Sequence, residues 1–447
     1  MSTASAAGNA SGCDFVVQAG GRLQGRIRVP GDKSISHRAL LLGAMAHGVT
    51  HIANFLESQD CLATLNVLRQ LGVQASRGPT RDVNLLGAGP ESLHASARAL
   101  DCGNSGTSMR LLSGVLAGQP FATMLDGDDS LRRRPMRRVI EPLTQMGARF
   151  ESTDGHAPLT VHGRQPLIAR RHELPVASAQ VKSAILLAGL QASGETWLRE
   201  PAPSRDHTER MLQAMGCGVL HDGQWLGVCG GSELQATDIT VPGDLSSAAF
   251  FLVGAAICPG TRVVVENVGI NPTRDGVLRL LRRMGAEIHL QNPRELGAEP
   301  TADIEVQGGH LHGIEISAAD VPLAIDELPA IMVAAALTQG RSTLRGAAEL
   351  RVKESDRLVA MAAGLRTLGV PVELFDDGLQ LTGVGEFKGG EIDSCGDHRI
   401  AMSFAMAALR AAKPLRIRNC RNVDTSFPGF AAVAQSAGLD LRLEETA

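Results

Sequence analysis

The sequence is poor in aromatic side chains: tyrosine is absent, and Phe and Trp together make up 3% of the 447 residues. Because proteins that hold single-stranded nucleic acid stack bases on such rings, this composition disfavours that function. Positive charge is not in excess either, since 43 lysines and arginines face 47 acidic residues and the net charge is −4. We therefore expect no nucleic-acid partner, and any bound anion must be held by a local cluster of cations.

Long apolar runs are also missing. The longest, 250–258 and 331–337, fall well short of the ~20 residues that span a bilayer. Residues 1–13 are small and mostly polar, without the basic and apolar regions of a secretion signal, so we expect a disordered tail. The eight cysteines are scattered, which is typical of reduced thiols in a reducing compartment. The sequence predicts a soluble, cytoplasmic protein with no membrane partner.

An internal repeat organises the rest of the chain. A glycine ends a helical segment and precedes an extended one six times, at Gly72, Gly147, Gly216, Gly285, Gly369 and Gly438. Between them lie six apolar, Ala-rich helices that start near Ser34, Ser105, Ser178, Ser246, Asp326 and His398. Helices this apolar on all sides belong in an interior. Each unit of roughly 70 residues therefore reads as strand, buried helix, strand, amphipathic helix, strand, and six units predict two α/β domains of three units each.

The tetrapeptide Val-Pro-Gly-Asp occurs twice, at 29–32 and 241–244. Two similar turns could arise by chance, but half of the units lie between the copies, which favours two crossovers between domains. We predict crossovers near 29–33 and 241–244. They would separate one domain of residues 31–242 from another of residues 14–30 plus 243–447.

Polar and basic residues cluster at the predicted starts of the buried helices. Helix N-termini attract anions, and several pointing into one cleft would form an anion trap. Ordinary N-capping explains the Ser, Asn and Asp residues among them. It does not explain the cations, because a positive helix end disfavours a neighbouring cation. A bound anion would offset that unfavourable interaction. The residues are Lys33, Ser34, Arg38, Asn104, Ser105, Thr107, Arg110, Ser178, Gln180, Lys182, Asp397, His398 and Arg399.

Other motifs are ambiguous when taken alone. Gly-Asp-Lys-Ser at 31–34 lacks the glycine that a nucleotide-binding P-loop has directly before lysine. The basic run 132–138 could be a nuclear or RNA-binding patch, but three nearby aspartates favour a mobile loop that closes over an anion. Lys-Glu-Ser-Asp-Arg at 353–357 is, by itself, typical of a solvated helix face.

Read in order, the motifs resemble the 5-enolpyruvylshikimate-3-phosphate synthases over essentially the whole chain from Asp14. The matching blocks are GDKSISHRALLLGA, GNSGTSMRL, RRRPMRRV, ASAQVKSAILLAGL, SRDHTERM, NPTRDGV, IDELP, ELRVKESDRL and DHRIAMSF. The resemblance implies two inside-out α/β domains of three βαβαββ repeats each. It also implies transfer of enolpyruvyl from phosphoenolpyruvate to the 5-hydroxyl of shikimate 3-phosphate, without metal or cofactor, in a monomer.

The resemblance further implies site residues. Shikimate 3-phosphate would bind Lys33, Ser34, Arg38, Ser178, Gln180, Arg205, Asp326 and Lys353. Phosphoenolpyruvate would bind Lys33, Gly106, Arg134, Gln180, Arg357 and Arg399, with the inhibitor glyphosate competing at Gly106. Asp326 would accept the hydroxyl proton, and Glu354, assisted by Lys33, would protonate the methylene carbon. Two features depart from some members: 422–428 contains no lysine, and Glu349 replaces an asparagine.

Two alternatives remain. A sister enzyme transfers enolpyruvyl to a UDP-amino sugar, but it resembles this chain less, because it has a Lys-Asn start and a loop cysteine where this chain has Lys33-Ser34 and DGDDSLRRRP. A non-enzymatic anion-binding protein would explain the basic helix starts but not Asp326 and Glu354 among them. Phosphate release with each acceptor separates the three.

Overall fold

The computed structural model describes residues 12–78 and 80–446, which form 14 α-helices and 27 β-strands. The helices are α1 Lys33–Met45, α2 Gln59–Gln70, α3 Gly106–Ala117, α4 Asp129–Arg132, α5 Arg137–Gln145, α6 Ala179–Gly189, α7 His207–Ala214, α8 Leu245–Ala256, α9 Gly276–Arg283, α10 Val321–Ala324, α11 Leu328–Ala335, α12 Arg357–Thr367, α13 His398–Ala407 and α14 Phe430–Ser436. The strands are β1 Gly12–Val17, β2 Gln24–Arg28, β3 Ala46–Ala53, β4 Gln74–Arg77, β5 Val83–Ala88, β6 Leu100–Asp101, β7 Ala122–Asp126, β8 Arg149–Thr153, β9 His156–His162, β10 Leu167–Ile168, β11 Arg171–Glu173, β12 Ala192–Ser193, β13 Glu195–Arg199, β14 Val219–Asp222, β15 Trp225–Cys229, β16 Leu234–Gln235, β17 Ile239–Thr240, β18 Arg262–Gly269, β19 Glu287–Leu296, β20 Glu299–Gln307, β21 Glu315–Ile316, β22 Arg341–Leu344, β23 Val372–Phe375, β24 Gly378–Thr382, β25 Gly390–Asp393, β26 Leu415–Arg418 and β27 Leu441–Thr446.

Six sheets share one strand order, so the predicted mixed α/β repeat is confirmed. In the simplest unit β21 and β22 are parallel and flank α11, and the antiparallel pair β23 and β24 follows α12. The sheets are β21-β22-β24-β23, β6-β7-β9-β8, β11-β13-β15-β14, β16-β3-β5-β4 with β17 beside β3, β2-β18-β20-β19 and β25-β26-β1-β27. A small sheet, β10-β12, lies outside this scheme.

The two helix series separate as their sequences predict. Helices α1, α3, α6, α8, α11 and α13 are almost entirely buried, and every residue of α8 is buried. The other series, α2, α5, α7, α9, α12 and α14, keeps an exposed face. Each helix of that series ends two residues before one of the six predicted glycines, whose φ values lie between 83° and 108°. Since this left-handed region disfavours a side chain, glycine here lets the chain turn at once into a strand.

Buried apolar side chains form two separate cores. One core combines residues 15–29 with residues 245–441, and the other contains only residues from 35 to 241. The N-terminal strands β1 and β2 complete sheets of the first of these cores. We propose the domain limits 31–242 and 14–30 plus 243–447 on this basis, and call these the first half and the second half.

Two predictions of local structure are wrong. Residues 1–11 of the expected tail lie outside the described residues, but Gly12 and Cys13 already belong to β1, which pairs with β27 through backbone bonds that need no apolar side chain. Residues 353–356 form no solvated helix face, because α12 begins only at Arg357. None of the helices in the described part of the chain is long and apolar enough to cross a membrane.

Candidate active site

A cleft of about 380 Å³ lies between the two halves. The N-terminal ends of all six buried helices border it, represented by Lys33, Gly106, Ala179, Ser246, Asp326 and His398. Each such end presents unpaired backbone N–H groups and a partial positive charge. The cleft is therefore suited to anions before any side-chain charge is considered.

Side-chain charge in the cleft is opposite in sign to that of the whole chain. Eight lysines and arginines line it against five carboxylates, although the chain carries a net charge of −4. The cations are Lys33, Arg110, Arg134, Arg138, Arg205, Arg274, Lys353 and Arg399, and the carboxylates are Asp60, Asp244, Asp326, Glu349 and Glu354. Such a local cluster can bind a multiply charged anion without a general attraction for polyanions.

Lys33 opens α1, and its Nζ lies 2.5 Å from Asp60 Oδ2. Burial raises the pKa of Asp60, and the charge of Lys33 opposes that rise. Sequence reasoning missed Asp60, because an aspartate that follows the helix-capping Ser58 is common in any first helical turn. Only the fold brings it to the cleft.

Gln180 is held by two groups from α3. Arg110 Nη1 donates to Gln180 Oε1 over 2.5 Å, and Gln180 Nε2 donates to Thr107 Oγ1 over 2.8 Å. Burial lowers the pKa of Arg110 to about 10, so the side chain stays cationic near neutrality. These two hydrogen bonds fix the orientation of the Gln180 side-chain amide without a bound ligand.

Arg134 joins the two halves of the cleft. Its Nη2 donates to Asn104 Oδ1 over 2.6 Å, and its Nη1 lies 3.3 Å from Glu354 Oε1 in the second half. Gly106 lies directly beside it, since a Cβ atom added there would be 3.3 Å from Arg134 Nη1 and 3.1 Å from Arg110 Nη1. The absence of a side chain at Gly106 keeps this corner of the cleft open.

Asp326 precedes α11 and is surrounded by cations. Arg205 Nη2 donates to its Oδ2 over 2.5 Å, and Arg399 Nη2 lies 3.8 Å from the same oxygen. Burial raises the pKa of Asp326, but Arg399, Arg205 and Lys353 together outweigh it and hold the pKa well below the ordinary value. Asp326 is therefore ionised in this arrangement.

Glu354 and Asp326 share one buried arginine. Arg357 Nη2 donates to Glu354 Oε2 over 2.6 Å, its Nη1 lies 3.5 Å from Asp326 Oδ1, and its Nε donates to Asp397 Oδ2 over 2.8 Å. Burial raises the pKa of Glu354, but Arg357 and Arg134 hold it well below the ordinary value. The two carboxylates thus contact different nitrogens of a single buried guanidinium.

Most of the predicted site residues border the cleft, and two do not. Those that do are Lys33, Ser34, Gly106, Arg134, Ser178, Gln180, Arg205, Asp326, Lys353, Glu354 and Arg399. Arg357 lies behind the carboxylates, 1% exposed. Arg38 belongs to α1, and its buried guanidinium donates to Ser34 O, to Thr208 Oγ1 of α7 and to Ser183 Oγ of α6. Direct ligand contacts from these two arginines stay predictions.

Several cleft residues were not predicted as ligands. Arg138 in the first half forms a two-pronged ion pair with Glu349 in the second, with distances of 2.7 and 3.2 Å. His398 lines the cleft, and burial lowers its pKa to about 3, so its ring is neutral near pH 7. The basic run gave a signal for Arg138, whereas its partner Glu349 was noticed only as a departure from the family pattern.

The fold and the cleft define a class of protein: two pseudo-equivalent α/β halves that enclose a cleft suited to anions and lined by eight cations and five carboxylates. Comparison with known proteins names the family. Residues 17–433 match the sequence model of EPSP synthase (3-phosphoshikimate 1-carboxyvinyltransferase). A curated protein of that name from Alkalilimnicola ehrlichii is 57% identical over 96% of this chain and 96% of its own length. Another from Methylococcus capsulatus is 55% identical over 96% of this chain and 98% of its own length.

Solved structures agree with the sequence comparison. A structure of EPSP synthase from Acinetobacter baumannii superposes with a TM-score of 0.86 at 49% identity, covering 97% of this chain and 100% of that one. The chain therefore belongs to the EPSP synthase family.

Proposed function

We propose that this protein transfers the enolpyruvyl group of phosphoenolpyruvate to the 5-hydroxyl of shikimate 3-phosphate and releases phosphate, a step of aromatic amino-acid biosynthesis. Family membership and one structural observation support this: six helix N-termini and eight cations converge on a cleft that also holds Asp326 and Glu354. Both substrates are multiply charged anions, so this cleft matches them in charge.

The reaction needs an acid and a base in different places. Protonation of C3 of phosphoenolpyruvate makes C2 electrophilic, and the 5-oxygen of the acceptor then adds to C2 as its proton leaves. Loss of phosphate and of one proton from the new methyl group restores the double bond. Asp326 is suited to take the hydroxyl proton, because its cationic neighbours keep it ionised.

Glu354 must carry a proton to act as the acid, yet Arg357 and Arg134 favour its ionised form. A phosphoenolpyruvate anion beside Arg134 would offset part of this positive charge and raise the pKa of Glu354. Lys33, which already lies against Asp60, is placed to assist. We therefore propose that Glu354 becomes a proton donor when phosphoenolpyruvate is bound.

The remaining predicted ligands divide between the substrates. We assign shikimate 3-phosphate to the side of the cleft with Ser34, Ser178, Arg205 and Lys353, phosphoenolpyruvate to the side with Gly106, Arg134 and Arg399, and Gln180 to both. Ser178 caps α6, and Glu200 accepts a hydrogen bond from its backbone N–H over 2.9 Å. The cap therefore holds its position without help from a ligand.

Phosphate release measured with each acceptor tests the proposal. We expect release from phosphoenolpyruvate with shikimate 3-phosphate and none with a UDP-amino sugar. Release only with the UDP-amino sugar would indicate the sister activity, and binding of both anions without release would indicate a non-enzymatic protein. The loop 126–135 contains no cysteine, which supports the first outcome.

We further propose a monomeric, cytoplasmic enzyme whose halves close on the substrates. Three ion pairs between side chains that line the cleft join the halves: Arg134–Glu354, Arg138–Glu349 and Arg205–Asp326. The eight thiols are all free, as expected for a reducing compartment. Small-angle scattering should show a monomer that becomes more compact with saturating shikimate 3-phosphate, and an unchanged radius of gyration would contradict closure.

A further inference from the structure

The two Val-Pro-Gly-Asp segments lie against each other. Gly31 and Gly243 form an antiparallel bridge, Asp32 N donates to Pro242 O over 2.8 Å, and Asp244 N donates to Pro30 O over 2.9 Å. Asp32 then caps α1, and Asp244 caps α8. The two crossovers therefore meet at one point, and a helix that borders the cleft begins on each side of it.

A single buried arginine lies at this point. Arg274 is 4% exposed and belongs to the loop between β18 and α9. Its Nη1 donates to Asp32 Oδ2, and its Nη2 donates to Ser246 Oγ and, over 3.3 Å, to Asp244 Oδ1. The same Nη2 lies 3.6 Å from Glu327 Oε1, and Ser246 Oγ donates to that Glu327 oxygen.

Two carboxylates beside Arg274, those of Asp32 and Glu327, belong to direct sequence neighbours of residues in the proposed chemistry. Asp32 precedes Lys33, and Glu327 follows Asp326 at the N-terminal end of α11. Lys33 lies in the first half of the molecule and Asp326 in the second. The planar guanidinium of Arg274, whose donor directions are fixed, therefore connects the segment that carries Lys33 with the segment that carries Asp326.

We infer that Arg274 is a positioning residue for enolpyruvyl transfer: by holding Asp32, Asp244 and Glu327 at the crossover it sets the N-terminal ends of α1, α8 and α11, and with them Lys33 and Asp326, in their places across the cleft. The inference rests on the proposed function. Because a misplacement of about 1 Å can reduce a rate by about 100-fold, loss of this contact should lower kcat more than it weakens binding.

Arg274 could instead stabilise the folded chain without affecting the reaction, since three buried carboxylates need a partner. Arg410 provides a matched control. It donates to Ile257 O over 2.6 Å and to Gly385 O over 2.8 Å, beyond the C-terminal end of α13 and away from the cleft. Its removal should lower stability without moving the helix starts.

The experiment compares wild type, Arg274→Gln, Arg274→Lys and Arg410→Gln by phosphate release, urea midpoint and the dissociation constant of shikimate 3-phosphate. We expect kcat to fall about 100-fold in Arg274→Gln with that dissociation constant changed less than about threefold. Lysine should restore part of the rate, because it keeps the charge but cannot bridge all the acceptors. Arg410→Gln should keep kcat within about twofold of wild type.

Amide hydrogen exchange gives a readout independent of activity: the first turns of α1 and α11 should exchange faster in Arg274→Gln and as in wild type in Arg410→Gln. A folded Arg274→Gln protein with wild-type kcat would overturn the inference, as would an equal loss of kcat in Arg410→Gln. If Arg274→Gln does not fold, Arg274→Lys decides, and a wild-type kcat there overturns it. Inactivity of the wild type itself would instead contradict the proposed function.

Discussion

The two halves of the molecule share one architecture but contribute different chemistry to the cleft. The first half supplies five cations and a single carboxylate to the lining, whereas the second half supplies three cations and four carboxylates. In both halves three buried helices point their N-termini at the same space. The helix ends of each half therefore favour anions, and we propose that side chains of the first half mainly bind the substrates while carboxylates of the second half transfer protons.

This difference explains why closure matters. Neither half alone places the proposed base beside all the cations of the cleft, and the three ion pairs between cleft-lining side chains each connect a cation of the first half with a carboxylate of the second. A ligand anion that draws those cations away would alter the pKa values of the carboxylates at the moment of binding. Substrate binding and acid–base readiness are coupled in this arrangement.

The largest effect should follow from removing a carboxylate of the second half. We expect Asp326→Asn and Glu354→Gln each to lower kcat by about 10² to 10⁴, the usual contribution of general acid–base groups, while shikimate 3-phosphate still binds. Steady-state kinetics and calorimetry measure the two quantities. Glu391→Gln, on the exposed strand β25, serves as a control with wild-type rates. Near-normal turnover in both site variants would refute the division between the halves.

A cation of the first half should affect binding instead. Arg134→Gln should raise the KM for phosphoenolpyruvate by about 10- to 100-fold, since a charge-assisted hydrogen bond contributes about 1.5–3 kcal/mol. Binding of shikimate 3-phosphate alone should change little. Arg132→Gln is the matched control from the same basic run, because Arg132 is exposed and pairs with Asp126 over 2.8 Å. A loss of kcat alone in Arg134→Gln, with an unchanged KM, would contradict a binding role.

The sequence predicts the repeat well because its signals are local. The six glycines mark left-handed turns whatever the rest of the chain does, and the apolar helices can lie only in an interior. The site is predicted less completely, because its charges are organised by contacts distant in sequence. Local pattern suggests that 353–357 is a solvated helix face, yet Arg357 there is buried against Asp397 and Asp326.

Resemblance to the family indicates which residues belong to the site, but not how deeply each is buried or which residues it contacts. Arg38 matches the motif, and only the fold shows that its N–H groups already donate to Ser34 O, Thr208 and Ser183. Arg274 belongs to a matching block, but nothing in that block marks it as a contact of the crossover, and Asp60, which contacts Lys33, lies in none of the blocks. Such residues become visible when two distant segments are brought together.

Gly106 tests the shape of the first half rather than its charge. Gly106→Ala would place a methyl group 3.1 Å from Arg110 Nη1 and 3.3 Å from Arg134 Nη1, at the movable ends of two side chains, so the protein should fold normally. We expect glyphosate, which is longer than phosphoenolpyruvate, to inhibit the wild type and to lose about tenfold or more in affinity in the variant, against a smaller rise in the KM for phosphoenolpyruvate. Gly218→Ala, in open space, is the control. Equal inhibition of both proteins would refute the steric argument.

The smallest effect concerns the equivalent aspartates of the two crossovers. Burial and the charge of Asp32 raise the pKa of Asp244 to about 6, whereas Arg274 and His207 outweigh burial and lower the pKa of Asp32 to about 2. The raised pKa of Asp244 therefore contributes to the free energy of unfolding below the unfolded-state pKa of about 4. This contribution is lost as the pH rises to about 6. The lowered pKa of Asp32 contributes to the free energy of unfolding above about pH 4, and this contribution is lost as the pH falls to about 2.

The two asparagine variants should accordingly differ in sign. At pH 7.5 Asp244→Asn removes a buried charge that the folded state disfavours, so its thermal midpoint should exceed that of wild type by about 1 °C or more, and the gain should shrink towards pH 4.5. Asp32→Asn should lower the midpoint at pH 7.5, because it removes the favoured partner of Arg274. Thermal unfolding of the three proteins between pH 4.5 and 7.5 measures this. Shifts of the same sign at pH 7.5 would mean that the crossovers are electrostatically equivalent, and that the difference between the halves begins only beyond them, in the cleft.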